Sequence, residues 1–284
     1  MRGTVTFRAD LHCHTTCSDG TISPAGIIEL ACNAGLQGLA ITDHDTVEAY
    51  QEALFFAESK KFPLISGVEF SAAHRHHSVH ILAYSFALSS PLIGEFCRRH
   101  RERRTNRNKL IIKLLENYGM PLSLDNFSGT PPTEELRHSI GRPHIAMAMM
   151  EKGYVHSVQE AFRIYIGEGK PCYTPGTPFS VEETLDIIHR AEGLAIIAHP
   201  HLIRCNKLLK ELVAMPFDGI EGHYARFPAT ENTRWINIGK SKDWIITGGS
   251  DFHGAIKPQL PLGSSWVDEA TFQILYQHFQ RNQF

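Results

Sequence analysis

The stretch DLHCHTTCSDG, residues 10–20, decides the fold of this chain. It ends a short apolar run, and the alternation of side chains along a strand places His12 and His14 on the same face at the end of that strand. Two imidazoles on one side of a strand end can hold a metal ion. One exposed and one packed histidine would give the same pattern. The residues at the ends of the other predicted strands decide between a metal-binding pair and two unrelated histidines.

Polar side chains follow most of the later predicted strands. Apolar or β-branched runs predict strands at residues 5–11, 38–42, 64–70, 79–84, 194–198, 219–221, 245–247 and 265–267. At or near the ends of these runs lie His44 in ITDHD, Glu69 in GVEFS, His80, His199 in AHPH, and Asp251 and His253 in GGSDFH. Burying so many ionisable groups without a partner is costly, and divalent metal ions neutralise them together. The sequence therefore predicts a metal centre. Its imidazole and carboxylate ligands suit Mn, Fe or Zn better than a closed Cys-type zinc site.

Helical patterns separate these strands. Ser23 followed by Pro24 predicts the start of a helix that Gly35 ends, and a second helix is predicted at residues 47–59. Ser180 and Glu183 form a capping box that opens a third. Alternating strands and helices predict an α/β fold around a largely parallel sheet. In an α/β barrel the carboxyl ends of the strands meet on one face, where the polar side chains would converge.

The alternation stops between about residues 91 and 178, where helical patterns and loops occur without a convincing strand. We predict a helical insertion at 93–177 between two parts of one barrel, 1–92 and 178–284. The insertion begins with CRRHRERRTNRNKLIIK, in which eight basic residues face the single acid Glu102. This run is either a solvated helix face or a surface for an anionic substrate or nucleic acid.

Composition limits the possible classes of protein. The chain has 284 residues, 28 Lys+Arg against 30 Asp+Glu, and 17 histidines. The balanced charge argues against a protein that coats nucleic acid over its whole surface. Six cysteines without a CxxC pair, the lack of a leader-like apolar segment and the short apolar runs predict a cytoplasmic protein with reduced thiols, no membrane role and no obligate protein partner.

Taken together, DLHCHTTCSDG, ITDHD, GVEFS, AHPH and SDFH resemble, in order and spacing, the signature of the polymerase and histidinol phosphatase (PHP) family. The resemblance covers the chain outside the insertion and implies a distorted (βα)7 barrel with a trinuclear metal centre that hydrolyses phosphoesters. It implies one metal on His12, His14, Glu69 and Asp251, a second on Asp19, His44 and His253, and a third on Glu69, His80 and His199. Asp19 stands where some family members have histidine, which favours Mn²⁺, with Fe²⁺ and Zn²⁺ as alternatives.

The segment SIGRPHIAMAM, inside the insertion, resembles one subgroup of this family. Its members are nucleotide phosphatases that act on 3′,5′-nucleoside bisphosphates and on the 5′ ends of short RNA. The resemblance implies that the insertion is a substrate cap in which Arg142 and His144 contact a nucleotide or short RNA, although Arg142 could instead cap a helix. It also implies that pAp is converted to the 5′-monophosphate and phosphate by a hydroxide that bridges the metals. Cys13 points away from the ligands by strand alternation and is not needed as a nucleophile.

Further candidates lie near the same predicted face. His223, in EGHYARF, is a leaving-group acid, a hydrogen-bond donor that supports a metal ligand, or a packed histidine, and Arg226 is a substrate contact. Asp43 and Asp45 are expected to orient His44, and His201 to support His199. His74, His76 and His77 are expected in an exposed loop.

Three other functions fit parts of the pattern. An amidohydrolase barrel also opens with HxH, but it would want a bridging lysine where this chain has His80. A histidinol-phosphatase-like phosphomonoesterase would share the metal centre without needing the arginine-rich segment. A metal-dependent nucleic-acid-binding module without catalysis would have no reason to keep every ligand.

Overall fold

A computed structural model describes residues 6–123 and 140–283 of the chain. The remaining residues include the first position of the predicted strand 5–11 and part of the predicted insertion, and these lie outside the described residues. The strands are β1 (Ala9–Asp10), β2 (Gly38–Ala40), β3 (Leu64–Ile65), β4 (Gly67–His74), β5 (His77–Tyr84), β6 (Phe179–Ser180), β7 (Leu194–Ile197), β8 (Gly219–Tyr224) and β9 (Ile245–Gly249). The helices are α1 (Pro24–Asn33), α2 (Tyr50–Ser59), α3 (Pro91–Asn117), α4 (Arg142–Glu151), α5 (Val158–Ala161), α6 (Val181–Arg190), α7 (Asn206–Val213), α8 (Ala229–Lys242) and α9 (Glu269–Arg281).

The strands form two sheets that meet at both edges. One is parallel, in the order β1-β2-β3, and the other has the order β6-β4-β5-β7-β8-β9. The Leu11 amide donates to the Gly248 carbonyl at 3.2 Å, and the Asp45 amide donates to the Glu69 carbonyl at 3.0 Å, so hydrogen bonds bridge the sheets on either side. This arrangement is consistent with a distorted barrel. Its main irregularity is β5, which runs antiparallel to both β4 and β7.

Local signals in the sequence start and stop the helices as predicted. The Ser23 hydroxyl accepts a hydrogen bond from the Gly26 amide at the start of α1, and Gly35 takes the left-handed conformation after its end, at φ 70°. The Ser180 hydroxyl accepts from the Glu183 amide at 3.1 Å and caps α6. The helix α2 begins at Tyr50, three residues later than the pattern predicted.

The chain divides into two compact units. The first comprises Met1–Cys97 and Phe179–Phe284, and the second comprises Arg98–Pro178. Sequence patterns placed the insertion at 93–177. The first turns of α3 belong instead to the first unit because Ile93 and Phe96 are buried in its core.

Each unit has apolar cores of its own. In the first unit, one cluster lies under α1 and α2 and another lies between α6, α7 and the strands β4 and β5. In the second unit, Ile111, Leu115 and Met149 are buried in a separate cluster. Each large side chain buried in this way contributes roughly 1.5–3 kcal/mol. No strand occurs among the described residues of the second unit.

The longest helix is α3, at 27 residues, and it carries the arginine-rich segment. Across residues 6–123 and 140–283, no helix has both the length and the apolar character needed to cross a bilayer.

Candidate metal centre

The carboxylate of Glu69 lies at the middle of the candidate metal centre. Its Oε1 atom is 2.7 Å from Nδ1 of His80 and 2.8 Å from Nε2 of His199. Its Oε2 atom lies 3.2 or 3.3 Å from a ring nitrogen of each of His12, His14 and His44. One buried carboxylate thus contacts five imidazoles from four segments of the chain.

Two further carboxylates complete the cluster. Asp251 Oδ1 lies 3.4 Å from a ring nitrogen of His14 and of His253, and Asp19 lies 3.3 Å from Nε2 of His253. The structure therefore brings together all nine residues for which the resemblance implied a metal role. Their ligand atoms fall into three groups, each within 4.8 Å: His14, Asp19, His44 and His253; His12, His14 and Asp251; and His44, Glu69 and His80. His199 is outside these groups, although it contacts Glu69.

The donor set fits divalent metal ions. Nε2 of His14 and Nδ1 of His44 are buried and have no hydrogen-bond partner within the described part of the chain. An unsatisfied buried polar atom costs about 1–3 kcal/mol, and a metal ion would satisfy both. The cluster contains no thiol, because the Cys13 Sγ atom turns away and donates to the Ala40 carbonyl at 3.2 Å. Burial raises the pKa of this thiol well above its ordinary value, which keeps it protonated.

The charges of the cluster are strongly coupled. Burial alone would raise the pKa of Glu69, but the surrounding histidines hold it well below its ordinary value. Burial, together with the imidazoles of His14 and His80, lowers the pKa of His44 to about 3. His14 is the opposite case, since Asp251 and Glu69 outweigh burial and raise its pKa to about 9. Some imidazoles are therefore neutral and ready to bind a metal, whereas others would release a proton to do so.

His80 enters the site from an unexpected direction. It pairs with Ser71 in the antiparallel hairpin of β4 and β5 and lies in the first half of its own strand. The rule that polar groups gather at carboxyl strand ends applies to parallel strands. Because β5 is reversed, its first half reaches the same edge as the ends of its parallel neighbours.

Glu221 is a site residue that the sequence patterns did not reveal. It is fully buried on β8, where it contacts Nδ1 of His12 at 2.9 Å and accepts from the backbone amide of His199 at 2.6 Å. A proton on His12 Nδ1 shared with Glu221 leaves Nε2 free to face the cluster. Glu221 thus orients two of the nine residues at once.

Asp251 is held by two side chains that were also not predicted. Its Oδ2 atom accepts from the Tyr224 hydroxyl at 2.8 Å and from Lys257 Nζ at 2.7 Å. These contacts leave Oδ1 turned towards the histidines. Lys257 lies six residues beyond Asp251, and no motif marked it.

Three other aspartates hold the surrounding loops. Asp43 accepts from the Thr15 amide at 2.7 Å, and Asp45 accepts from the Ser71 amide at 2.7 Å. Neither belongs to the three groups of possible ligands, and their orienting role toward His44 stays a prediction. The third, Asp10, accepts backbone amides, and burial raises its pKa to about 6.

Three residues in or beside the cluster have strained backbone conformations. Asp45, His199 and Asp251 have φ values of 60°, 26° and 54°, in the left-handed region that L-residues rarely adopt. The same crowding appears at Gly249, where an added Cβ would lie 2.4 Å from the Cβ of His12. Glycine is required there so that β9 can approach the first strand.

His223 does not lie in the cluster, which corrects the expectation that it acts as a leaving-group acid. A bulge in β8 between Glu221 and His223 shifts the alternation of side chains. Glu221 and Tyr224 consequently face the cluster, whereas His223 lies over Gly248 on the side of α8. Arg226 is exposed in the turn that follows, and its charge acts on Tyr224.

The remaining histidines of the first unit have other partners. His201 contacts Asn232 Oδ1 at 2.9 Å and stacks on Phe227 with 5.6 Å between the ring centroids, and both partners lie outside the nine clustered residues. That His201 supports His199 stays a prediction. His76 lies in an exposed turn, as expected, whereas His77 is exposed but begins β5. The expectation is wrong for His74, whose ring lies 3.3 Å from Glu182 and 3.1 Å from Glu211.

The two predicted substrate residues of the insertion lie at the start of α4, in the second unit. The Arg142 guanidinium stacks on the rings of Phe162 and Tyr173, with centroid distances of 5.6 and 5.2 Å. The His144 Nδ1 atom accepts from the Gly141 amide at 3.0 Å. His144, and not Arg142, therefore makes the capping contact at this helix start.

Comparisons with known proteins agree with the motifs. A model of the PHP domain matches residues 10–165. The chain is 32% identical to the 5′-3′ exoribonuclease Rnm of Escherichia coli over 253 residues, which cover 86% of this chain and 84% of that protein. It is 29% identical over 249 residues to the 3′,5′-nucleoside bisphosphate phosphatase of Chromobacterium violaceum, with 86% of each protein covered. A solved structure from Bifidobacterium adolescentis, described as a metal-dependent phosphoesterase, has a TM-score of 0.85 and 32% identity, covering 95% of this chain and 96% of that one.

Proposed function

Because this chain belongs to the PHP domain family of phosphoesterases, we propose that it hydrolyses nucleotide phosphates. The substrates would be 3′,5′-nucleoside bisphosphates such as pAp, which lose one phosphate to give the 5′-monophosphate, and short RNA trimmed from its 5′ end. The similarity to an exoribonuclease and to a bisphosphate phosphatase supports both. The observation that carries the proposal is the complete set of nine clustered ligand residues.

The proposed cofactor is a set of three divalent ions, with manganese favoured by the imidazole and carboxylate donors. His12, His14, Glu69 and Asp251 would hold one ion. Asp19, His44 and His253 would hold the second, and Glu69, His80 and His199 the third. When bound, such ions supply a water-derived nucleophile near neutral pH and neutralise charge on the phosphoryl oxygens.

The neighbouring residues hold the proposed metal ligands in position. Glu221 fixes the ring of His12 and the backbone of His199, and the Tyr224 hydroxyl fixes one oxygen of Asp251. The site needs no protein nucleophile, since the Cys13 thiol points elsewhere and stays protonated.

The second unit carries the features proposed to bind substrate phosphate. Burial and repulsion from the nearby Arg104 lower the pKa of Arg142. Arg104 and Arg107 are only 6% and 7% exposed, so α3 is more than a solvated charged face. A guanidinium held between aromatic rings suits bidentate binding of a phosphate, and we propose that Arg142 does this with His144, while Arg226 contacts substrate from the first unit.

Phosphate release measured with Mn²⁺ tests the proposal. We expect turnover of adenosine 3′,5′-bisphosphate and of a 5′-phosphorylated oligoribonucleotide, and much slower turnover of histidinol phosphate. Histidinol phosphate turning over fastest would assign the chain to the other phosphomonoesterase class. No turnover of any nucleotide would favour a binding module without catalysis. Asp251→Asn should abolish turnover, and Glu211→Gln, at a carboxylate that contacts His74 outside the cluster, should retain it.

A further inference from the structure

A second concave site lies beside β8 and β9, outside the metal cluster. It is a groove of about 700 Å³ between α8 and the segment that leads into α9. Its floor contains Ile236 and Ile246, and its walls carry His223, Lys240 and Trp266. This volume is in the range of ligand-binding pockets, which is roughly 300–1,000 Å³. None of the motifs discussed above accounts for it.

The walls of the groove present polar groups that have no protein partner. Within the described residues, the ring of His223, the indole N–H of Trp266 and Nζ of Lys240 make no hydrogen bond, and Lys240 makes no ion pair. The indole is 42% exposed, and the guanidinium of Arg8 lies 5.4 Å from its centroid. The acid in the groove, Asp268, is already engaged in capping α9 through the Thr271 amide. The groove therefore offers hydrogen-bond donors and an aromatic face.

The groove and the metal cluster share one residue. Tyr224 lines the groove, and its hydroxyl also binds Asp251. The ring of Tyr224 lies 5.8 Å from that of His199 and 6.1 Å from that of Phe227, which also lines the groove. The buried Tyr224 side chain thus lies between the groove and the metal cluster.

We propose that this groove binds a nucleotide of an RNA substrate downstream of the nucleotide held at the metal cluster. A nucleobase has a flat face that stacks on an indole and edge atoms that accept hydrogen bonds, which matches the side chains of Trp266 and His223. Lys240 would pair with a backbone phosphate. The assignment rests on the proposed function, because it takes RNA as a substrate.

Binding in the presence of EDTA tests the groove apart from catalysis. Fluorescence anisotropy would compare a 5′-phosphorylated pentaribonucleotide with the corresponding dinucleotide on the full chain. The wild-type protein should bind the longer RNA more tightly, and Trp266→Ala should weaken that binding by roughly 5- to 150-fold while affecting the dinucleotide less. The logarithm of the binding constant for the pentanucleotide falls linearly with the logarithm of the salt concentration, and Lys240→Ala should make this slope shallower by about 0.7.

Two exposed residues provide matched controls. Phe55→Ala removes an exposed ring on α2, and Lys242→Ala removes a lysine of α8 that does not line the groove. Both should leave the gain in affinity with RNA length unchanged. The groove assignment is wrong if the wild-type protein shows no such gain, if Trp266→Ala keeps it, or if Trp266→Ala weakens pAp and the pentanucleotide equally. Phosphate release from pAp does not depend on this gain, so failure of the groove and failure of the proposed function are distinguishable.

Discussion

The two sides of β8 show opposite ways of using polar residues. On the side of the metal cluster, Glu221 and Tyr224 are buried and each has partners between 2.6 and 2.9 Å. On the other side, His223 faces an open groove and makes no hydrogen bond to the described residues. Buried charges must be paired, so each inner group depends on its neighbours, whereas an outer group can be changed at little cost. Substitutions within the cluster should therefore have larger effects than substitutions outside it.

The largest effect is expected for Glu69→Gln. The change keeps the shape of the side chain but removes the negative charge that contacts five histidines. Several kcal/mol of metal-dependent stabilisation should be lost, which corresponds to a fall in kcat of about a thousandfold or more. Phosphate release at saturating Mn²⁺ measures it, with circular dichroism as a check on folding. Activity within tenfold of the wild-type value would show that Glu69 is not central.

A smaller loss is expected for Glu221→Gln, because this residue acts through His12 and His199. Neighbours that orient metal ligands typically contribute 10- to 100-fold in metal affinity or activity. A Mn²⁺ titration of activity should show half-saturation at a higher concentration. Glu211→Gln is the control, since it alters a similar carboxylate–histidine contact outside the cluster. Equal effects of the two variants would contradict the positioning role.

The coupled histidines predict a pH dependence of stability in the metal-free protein. The pKa of His14 is raised from 6.5 to about 9, so the folded state binds more protons than the unfolded state in this interval. The stabilisation is complete below pH 6.5 and is lost as the pH rises through 9, by an amount of the order of 1–3 kcal/mol. Thermal melts in EDTA should therefore show a falling Tm over this range, and His14→Gln should flatten the slope. A Tm that rises from pH 6.5 to 9 would refute the assignment.

The smallest effect is expected at Cys13, which turns away from the cluster. Cys13→Ala should leave kcat within about twofold and lower the free energy of unfolding by about 1 kcal/mol, as for a typical core substitution. Phosphate release and urea unfolding measure the two quantities. Loss of activity without loss of stability would restore a chemical role for the thiol.

The sequence predicted the part of the site that depends on local geometry. His12 and His14 share a face because strands alternate with a period of two, and His44, Asp251 and His253 follow parallel strands whose ends meet. Motif spacing was sufficient for these residues, since each is positioned by its own strand. The capped starts of α1 and α6 were predictable for the same reason.

The rest depends on tertiary structure. Regular alternation would place Glu221 and His223 on one face, but the bulge in β8 turns Glu221 towards the cluster and His223 away from it, and no motif marks the bulge or Glu221. Nor does the composition of α3 reveal that Arg104 and Arg107 are buried. Neither a one-residue bulge nor the packing of the second unit produces a periodic pattern in the sequence from which it could be predicted.

The left-handed backbone of Asp45, His199 and Asp251 affects how the sequence would change during evolution. Each of these residues costs about 1 kcal/mol or more where glycine would cost little, so the folded chain is less stable than its topology allows. Selection for phosphoester hydrolysis would keep them, and selection for stability alone would replace them. A descendant freed from catalysis would therefore be expected to gain glycine at these positions and melt at a higher temperature.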